Sequence, residues 1–336
     1  MRYHPRAMSR PNTTSKTASR DVRIVEIKDN ADQQRVDNYL LRVLKGVPRS
    51  RIYRMIRNGE VRVNKGRVKP TTRLEKGDLL RIPPVVMLET GEVPDWAVTK
   101  HAYLLDRIIY EDNGLLAINK PTGLAVHAGS GIAYGLIELL RKIHPAGADL
   151  ELCHRLDRET SGLLLISKKR LLNKYLNGLF KQKTNSNSGI SKCYLTLLKG
   201  RVEKTIKIEH KLYRQGKHDG ERIVVVHPDG VAAASTFRPI SWPADLATLC
   251  EVDLHTGRTH QVRVHAQSMG CAVAGDSKYG DKRFNRKMSE ASLNRLFLHA
   301  YKLEFKLPDS AKTLRLEAEL PDDLDRVLRA LEVTHE

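Results

Sequence analysis

From Arg35 onward the apolar positions fall into a helical rhythm: Val36, Leu40 and Leu44 recur at four-residue spacing until Gly46 and Pro48 break the run. The pattern predicts a second helix with Ser50 as its cap, Ile52, Met55 and Ile56 on its inner face and Gly59 just past its end. The rhythm then changes. Glu60 to Asn64 alternate polar and apolar as a half-buried strand does, Lys65 and Gly66 make a turn, and a second strand pattern, Leu79 to Ile82, follows Gly77 and Asp78. Residues 1–22, with RPNTTSKTASR at their centre, are polar, basic and nearly free of large apolar side chains, so a disordered tail is expected there.

Residues 23–85 therefore read as one small domain. Residues 86–102 show little periodicity and read as a linker, and residues 103–336 read as a second, larger domain. In that domain, strand-like runs at Leu163–Ser167, Tyr194–Leu198, Arg222–Val226 and Thr248–Leu254 outnumber the helical stretches. The expectation is an α+β fold on a mostly antiparallel sheet. Lys183 to Ser191, KTNSNSGIS, has the composition of a polar surface loop.

The chain of 336 residues carries a net charge of +19, and its distribution changes the picture. Residues 1–20 hold five Lys or Arg and no acid, and residues 21–82 hold sixteen against eight, so the first quarter carries +13 of the total. A separable basic unit suits a polyanion, and no apolar wedge or lipidation signal accompanies it to favour a membrane surface. No run approaches the roughly 20 apolar residues of a membrane span, and Met1 to Arg20 has no apolar block suited to export. Cys153, Cys193, Cys250 and Cys271 are too scattered for a CxxC pair or a disulfide framework. Reduced thiols in a cytoplasmic protein are the expectation, with Cys153 and Cys193 as small buried hydrophobes.

The most unusual segment is His154 to Lys168, HRLDRETSGLLLISK, where Asp157 sits between two arginines on a polar stretch that runs through Ser161 and Gly162 into an apolar strand. That pattern places a carboxylate on a loop at a sheet end, where rigid scaffolds present functional groups. An arbitrary LDR tripeptide would more often be a turn aspartate bonded to its own backbone.

The full HRLDRETSG segment followed by LLL resembles the catalytic signature of the RluA family of pseudouridine synthases, and the resemblance covers nearly all of residues 103–305. It implies that Asp157 is the essential carboxylate and that Arg155 helps displace the target base. NKPTGLAVH (Asn119 to His127) resembles the family's first motif, with Lys120 and Pro121 supporting the catalytic loop. KCYLTLLKG (Lys192 to Gly200) places Tyr194 where the family stacks an aromatic ring on the base and can take its C5 proton. LHTGRTHQVRVH (Leu254 to His265) resembles the last core motif, in which Arg263 pairs with the catalytic aspartate. With Arg155, the resemblance also assigns His154, Lys120, Arg258 and Gln261 to substrate binding. His255 and Val262 depart from the commonest family residues without touching the chemistry.

Residues 35–84 in turn resemble the S4 RNA-binding domain. That resemblance implies Arg49, Arg51, Arg54, Arg57, Arg62 and Lys65 as RNA contacts, mainly to phosphates. Together the two resemblances imply an enzyme that isomerises uridine in ribosomal RNA. The expected partner is 23S RNA or a large-subunit assembly intermediate, and the expected enzyme is a monomer. Isomerisation gains and loses no atoms, so no cofactor is expected, in keeping with the lack of Rossmann and P-loop glycine patterns.

Three other readings fit less well. His255, His260 and His265 invite a zinc site, but five-residue spacing cannot bring them together from one helix or strand, so no metal is expected. Asp157 and Glu159 as glycosidase carboxylates stand too close in sequence to flank one bond. A non-catalytic RNA-binding assembly factor accounts for the basic domain and leaves HRLDRETSG unexplained.

Overall fold

The structure, a computed structural model, describes residues 16–19, 22–44, 47, 49–88, 93–129, 132–181, 189–218, 221–243, 246–308 and 313–333. It divides into two units, one ending at Pro94 and one beginning at Asp95. The first runs β1 (Lys16–Ser19), β2 (Arg23–Glu26), α1 (Val36–Val43), α2 (Arg49–Arg57), β3 (Arg62–Val63), β4 (Gly66–Arg67), β5 (Leu79–Ile82) and β6 (Val85–Leu88). Each helix gathers its apolar residues on one face. Val36 and Leu40, with Leu44, share a core with Ile52, Met55 and Ile56, which Ile27, Val61, Leu74, Leu80 and Ile82 complete.

The sheet order is β2-β5-β3-β4. Asn64 and Lys65 join β3 to β4 with φ of 48° and 67°, the left-handed pair that a two-residue hairpin demands, so the turn comes one residue earlier than expected. Ser50 lies inside the first turn of α2 rather than capping it. Arg49, Arg54, Arg57, Arg62 and Lys65 are exposed. Arg51 is part-buried and forks onto Glu60 at 3.3 and 2.9 Å.

Two boundaries differ from expectation. Lys16–Ser19, within the segment read as a tail, forms β1 and pairs antiparallel with β6. The linker span 86–102 contains most of β6 and a helix, α3 (Asp95–Lys100), that is too short to register as a periodic pattern.

The second unit continues with β7 (Ile108–Glu111), β8 (Leu115–Lys120), α4 (Leu136–Ile143), β9 (Glu151–Leu152), β10 (Ser161–Ser167), α5 (Arg170–Lys181), β11 (Ile190–Lys199), β12 (Ile206–His218), β13 (Glu221–Val226), β14 (Val231–Ser241) and β15 (Ala247–Leu254). It closes with α6 (Gln261–Ser268), α7 (Lys282–Glu290), β16 (Leu298–Lys306), β17 (Thr313–Glu317) and α8 (Asp322–Val333). Its strands form one sheet of order β13-β12-β14-β15-β11-β16-β10-β8-β7, with β17 on β16 and β9 on β10. Only the β10–β16 pairing is parallel among those described. The four expected strands appear as β10, β11, β13 and β15, each longer than its pattern suggested. Most of the expected loop at Lys183 to Ser191 lies outside the described residues, and its last residues begin β11.

Every residue of β10 is buried, which explains its unbroken apolar run. Gly162 sits in it at φ 108°, where an added Cβ would stand 2.2 Å from the Ala300 carbonyl oxygen of β16. Only glycine lets the two strands meet there. Leu198, Phe237, Val252, Val262, Ala266 and Leu298 fill the core between the sheet and α6. Burial pushes the Cys153 and Cys193 thiols up to about 12, so both stay protonated and pack as apolar groups. No helix among the described residues is long and apolar enough to cross a membrane.

Candidate active site

The segment that leads from β9 into β10 carries Asp157, and it is tied to the turn after β8 by a dense set of bonds. Gly123 N donates to the Arg158 carbonyl at 2.9 Å, and Arg158 Nε returns a bond to the Gly123 carbonyl at 2.9 Å. Thr122 Oγ1 donates to the Glu159 carbonyl at 2.7 Å. Lys120 supplies the centre of this clasp. Its ammonium donates to the carbonyls of Pro121, Leu124 and Arg158 at 2.9, 2.9 and 3.1 Å. Lys120 is fully buried and its three protons are all engaged, so it supports the loop and is not available to substrate. Burial pulls that ammonium down to about 7.

His154 differs from expectation in the same way. Its Nε2 accepts from Leu165 N at 3.0 Å, and its ring stacks on Phe180 at 4.1 Å. Burial and the nearby Lys192 charge pull it down to about 3, so it is a neutral wedge that anchors the start of the loop.

Tyr194 projects from the middle of β11, paired with Val252 of β15 and Ala300 of β16. Burial and the charge of Asp157 both raise its phenol above the ordinary tyrosine range. That environment suits a neutral stacking ring and disfavours the phenolate that a proton acceptor would need. Lys192, two residues earlier on the same strand, is 6% exposed, and its ammonium has no hydrogen-bond partner among the described residues. Burial and the repulsion of Arg258 bring it down to about 8.

The third part of the site is the turn from β15 into α6. Gln261 organises it: its Oε1 accepts from Thr256 Oγ1 and Arg258 N, and its Nε2 donates to the Ala234 carbonyl and to Ser235 Oγ. Both ends of the amide are thereby used within the protein, so Gln261 shapes the pocket wall instead of offering bonds to a ligand. Arg263 also has a partner other than the expected one. Its Nε and Nη2 bond Asp276 at 2.6 and 2.7 Å, and Asp276 additionally accepts from the backbone of Lys278 and Tyr279. Asp157 adds a favourable charge interaction to Arg263 without taking those two bonds. Asp276 holds the guanidinium rigidly because a buried pair of this kind must be fully hydrogen-bonded to persist.

These pieces meet in one cavity of about 180 Å³, lined by Arg155, Asp157, Tyr194, Arg214, Arg258 and His260 together with Thr160, Leu254 and Leu298. Asp157 is the one carboxylate in that lining, among three arginines. Arg214, on β12, donates to Thr259 Oγ1 at 2.9 Å and is a member that no sequence motif announced. The three histidines of the zinc reading go separate ways: His255 to Thr236, His260 to Tyr279 and His265 to Ser235. Among the described residues, no group of three or more His, Cys, Asp or Glu gathers to hold a metal.

Comparison with known proteins shows the family of the chain. Residues 114–268 match the family model for RNA pseudouridylate synthase, and residues 34–80 match that for the S4 domain. The chain is 45% identical over 318 residues to the ribosomal large subunit pseudouridine synthase C of Haemophilus influenzae, covering 94% of this chain and 97% of that one. It is also 45% identical over 323 residues to the enzyme of the same name in Escherichia coli, at 94% and 98% coverage. Among solved structures, human RNA pseudouridylate synthase domain containing 4 superposes with a TM-score of 0.57 at 25% identity, over 71% of this chain and 98% of that one. With an S4 domain ahead of it and a relative this similar along nearly its whole length, the chain belongs to the RNA pseudouridylate synthase family.

Proposed function

We propose that the protein isomerises specific uridines to pseudouridine in large-subunit ribosomal RNA, in the cytoplasm, with Asp157 as the catalytic carboxylate. The observation that carries the reading is one cavity in which a lone carboxylate faces a half-buried tyrosine and is rimmed by Arg155, Arg214 and Arg258. An ionised aspartate can start cleavage of the bond from C1′ to N1 by attack on the sugar or by removal of a sugar proton. The freed uracil anion then turns on the face of Tyr194, and C5 bonds to C1′ as the carboxylate departs or returns its proton. The C5 proton passes to solvent and N1 takes one up, so no atom is gained or lost. The target nucleotide must leave its helix first, at a cost of a few kcal/mol, and Arg155, which lines the cavity, is our candidate to fill the gap it leaves.

The exposed cations of the first unit, Arg49, Arg54, Arg57, Arg62 and Lys65, suit phosphate contacts that orient structured RNA without reading its sequence. Arg51 contributes less, because Glu60 already neutralises it. The names of the relatives from Haemophilus influenzae and Escherichia coli support large-subunit RNA as the substrate. The test is tritium release from unmodified large-subunit RNA labelled at C5 of uridine, incubated with purified protein and no added cofactor. Release at stoichiometric sites is expected; none from any ribosomal RNA would refute the function.

A further inference from the structure

His260 occupies an unusual position. It precedes α6 with φ 53° and ψ 20°, a left-handed conformation that is uncommon for a non-glycine residue. Its Nδ1 lies 2.8 Å from Tyr279 Oη, and that phenol also receives the Val224 N–H at 2.9 Å. Among the described residues these are the two partners of the phenol. Val224 N can only donate, so the phenol's own proton has one acceptor, His260 Nδ1. A neutral His260 therefore carries its proton on Nε2. That atom lies 3.9 Å from Asp157 Oδ2.

The charged and titratable groups around the ring are Asp157 from the catalytic loop, Arg263 from α6, and Asp276, Lys278 and Tyr279 from the segment before α7. Burial dominates among their effects and lowers His260 to about 4, so the ring is neutral at physiological pH. The 3.9 Å separation exceeds a hydrogen bond and closes with a shift of about 1 Å, as catalytic contacts do when substrate binds.

Resting on the pseudouridine synthase reading, we propose that His260 is a positioning residue for Asp157. Tyr279 holds it in the tautomer whose Nε2 proton steadies one carboxylate oxygen and leaves the other free for the sugar. A neutral donor does this without forming an ion pair that would blunt the carboxylate.

The test compares His260→Asn, His260→Gln and Tyr279→Phe in the tritium-release assay between pH 5.5 and 9. Asparagine tolerates the left-handed backbone and is too short to reach Asp157, so kcat is expected to fall tenfold to a hundredfold, with KM within about twofold of wild type. Glutamine places an amide N–H near the Nε2 position, and most of the loss should be recovered. Loss of the phenol frees Nδ1 to bind a proton, so the acid limb of kcat in Tyr279→Phe should move up toward neutrality while the alkaline plateau persists. Wild-type kcat in His260→Asn, equal losses in the Asn and Gln variants, or an unmoved acid limb would each overturn the proposal. An inactive wild-type enzyme would instead sink the function on which the proposal rests.

Discussion

Replacing Lys120 with methionine tests the clasp in stability and in catalysis at once. The side chain is fully buried, and burial together with the Arg295 charge, opposed by Asp157 and Glu159, lowers its ammonium from the ordinary 10.5 to about 7, on the order of 5 kcal/mol against the charged form. Three charge-assisted bonds to carbonyls, at roughly 1.5–3 kcal/mol each, offset that cost in the native protein. Methionine removes both sides of this balance. The Pro121 and Leu124 carbonyls lose their partner at about 1–3 kcal/mol each, whereas the Arg158 carbonyl keeps the Gly123 N–H.

Set against about 5 kcal/mol of relief, the lost bonds and stranded carbonyls leave a net destabilisation of at least about 1.5 kcal/mol, so Tm should fall by several degrees or more. The loop that carries Asp157, however, has lost the centre of its clasp. A displacement near 1 Å at a reacting group is enough for about a hundredfold loss in rate, and kcat should fall by that order with RNA affinity nearly unchanged. Calorimetry together with single-turnover tritium release checks both halves. Wild-type kcat in Lys120→Met would refute the anchoring role, and a variant as stable as the wild type would refute the energy balance.

Three further outcomes follow from the same geometry. Gly162→Ala forces a Cβ to 2.2 Å from the Ala300 carbonyl at a positive φ, so destabilisation above about 4 kcal/mol is expected in denaturant titration. Lys192→Met removes a buried ammonium that burial has lowered to about 8. In the wild type the unfolded chain binds that proton more tightly than the folded one, so Lys192 makes stability rise as pH increases from about 8 to 10.5. The variant should be more stable below pH 8 and lack this part of the rise, as paired melts across that range will show. Changing Arg54, Arg57, Arg62 and Lys65 together to glutamine should weaken RNA binding and lower its salt slope by about 3, at roughly 0.7–0.9 per lost phosphate contact, with single-turnover chemistry on bound RNA retained.

Much of the fold was legible because its patterns are local. The α1 and α2 stripes and the run of β10 follow from spacing alone, and the Asp157 loop stood out because polar residues lead directly into that run. What spacing cannot convey is where a side chain's hydrogen bonds end. Lys120, His154 and Gln261 lie in motifs that the site depends on, yet carbonyls, a backbone N–H and hydroxyls of the protein consume their donors and acceptors. Each therefore shapes the site from behind it. The Arg263–Asp276 pair joins residues 13 apart, and Tyr279 reaches His260 across 19; neither distance leaves a periodic trace. GDSKYG at Gly275 to Gly280, an acid and a tyrosine flanked by glycines, is the signal the sequence carries for both partners. Arg214 carried no signal at all, since a basic residue on a long strand resembles any solvated one.

The role of Asp157 is tested most directly by an isosteric change, Asp157→Asn, followed under single-turnover conditions with C5-tritiated large-subunit RNA. The expected result is unaltered melting temperature, RNA affinity within about twofold of wild type, and no tritium release above background. Release at the wild-type rate would contradict the assignment of this carboxylate to the chemistry.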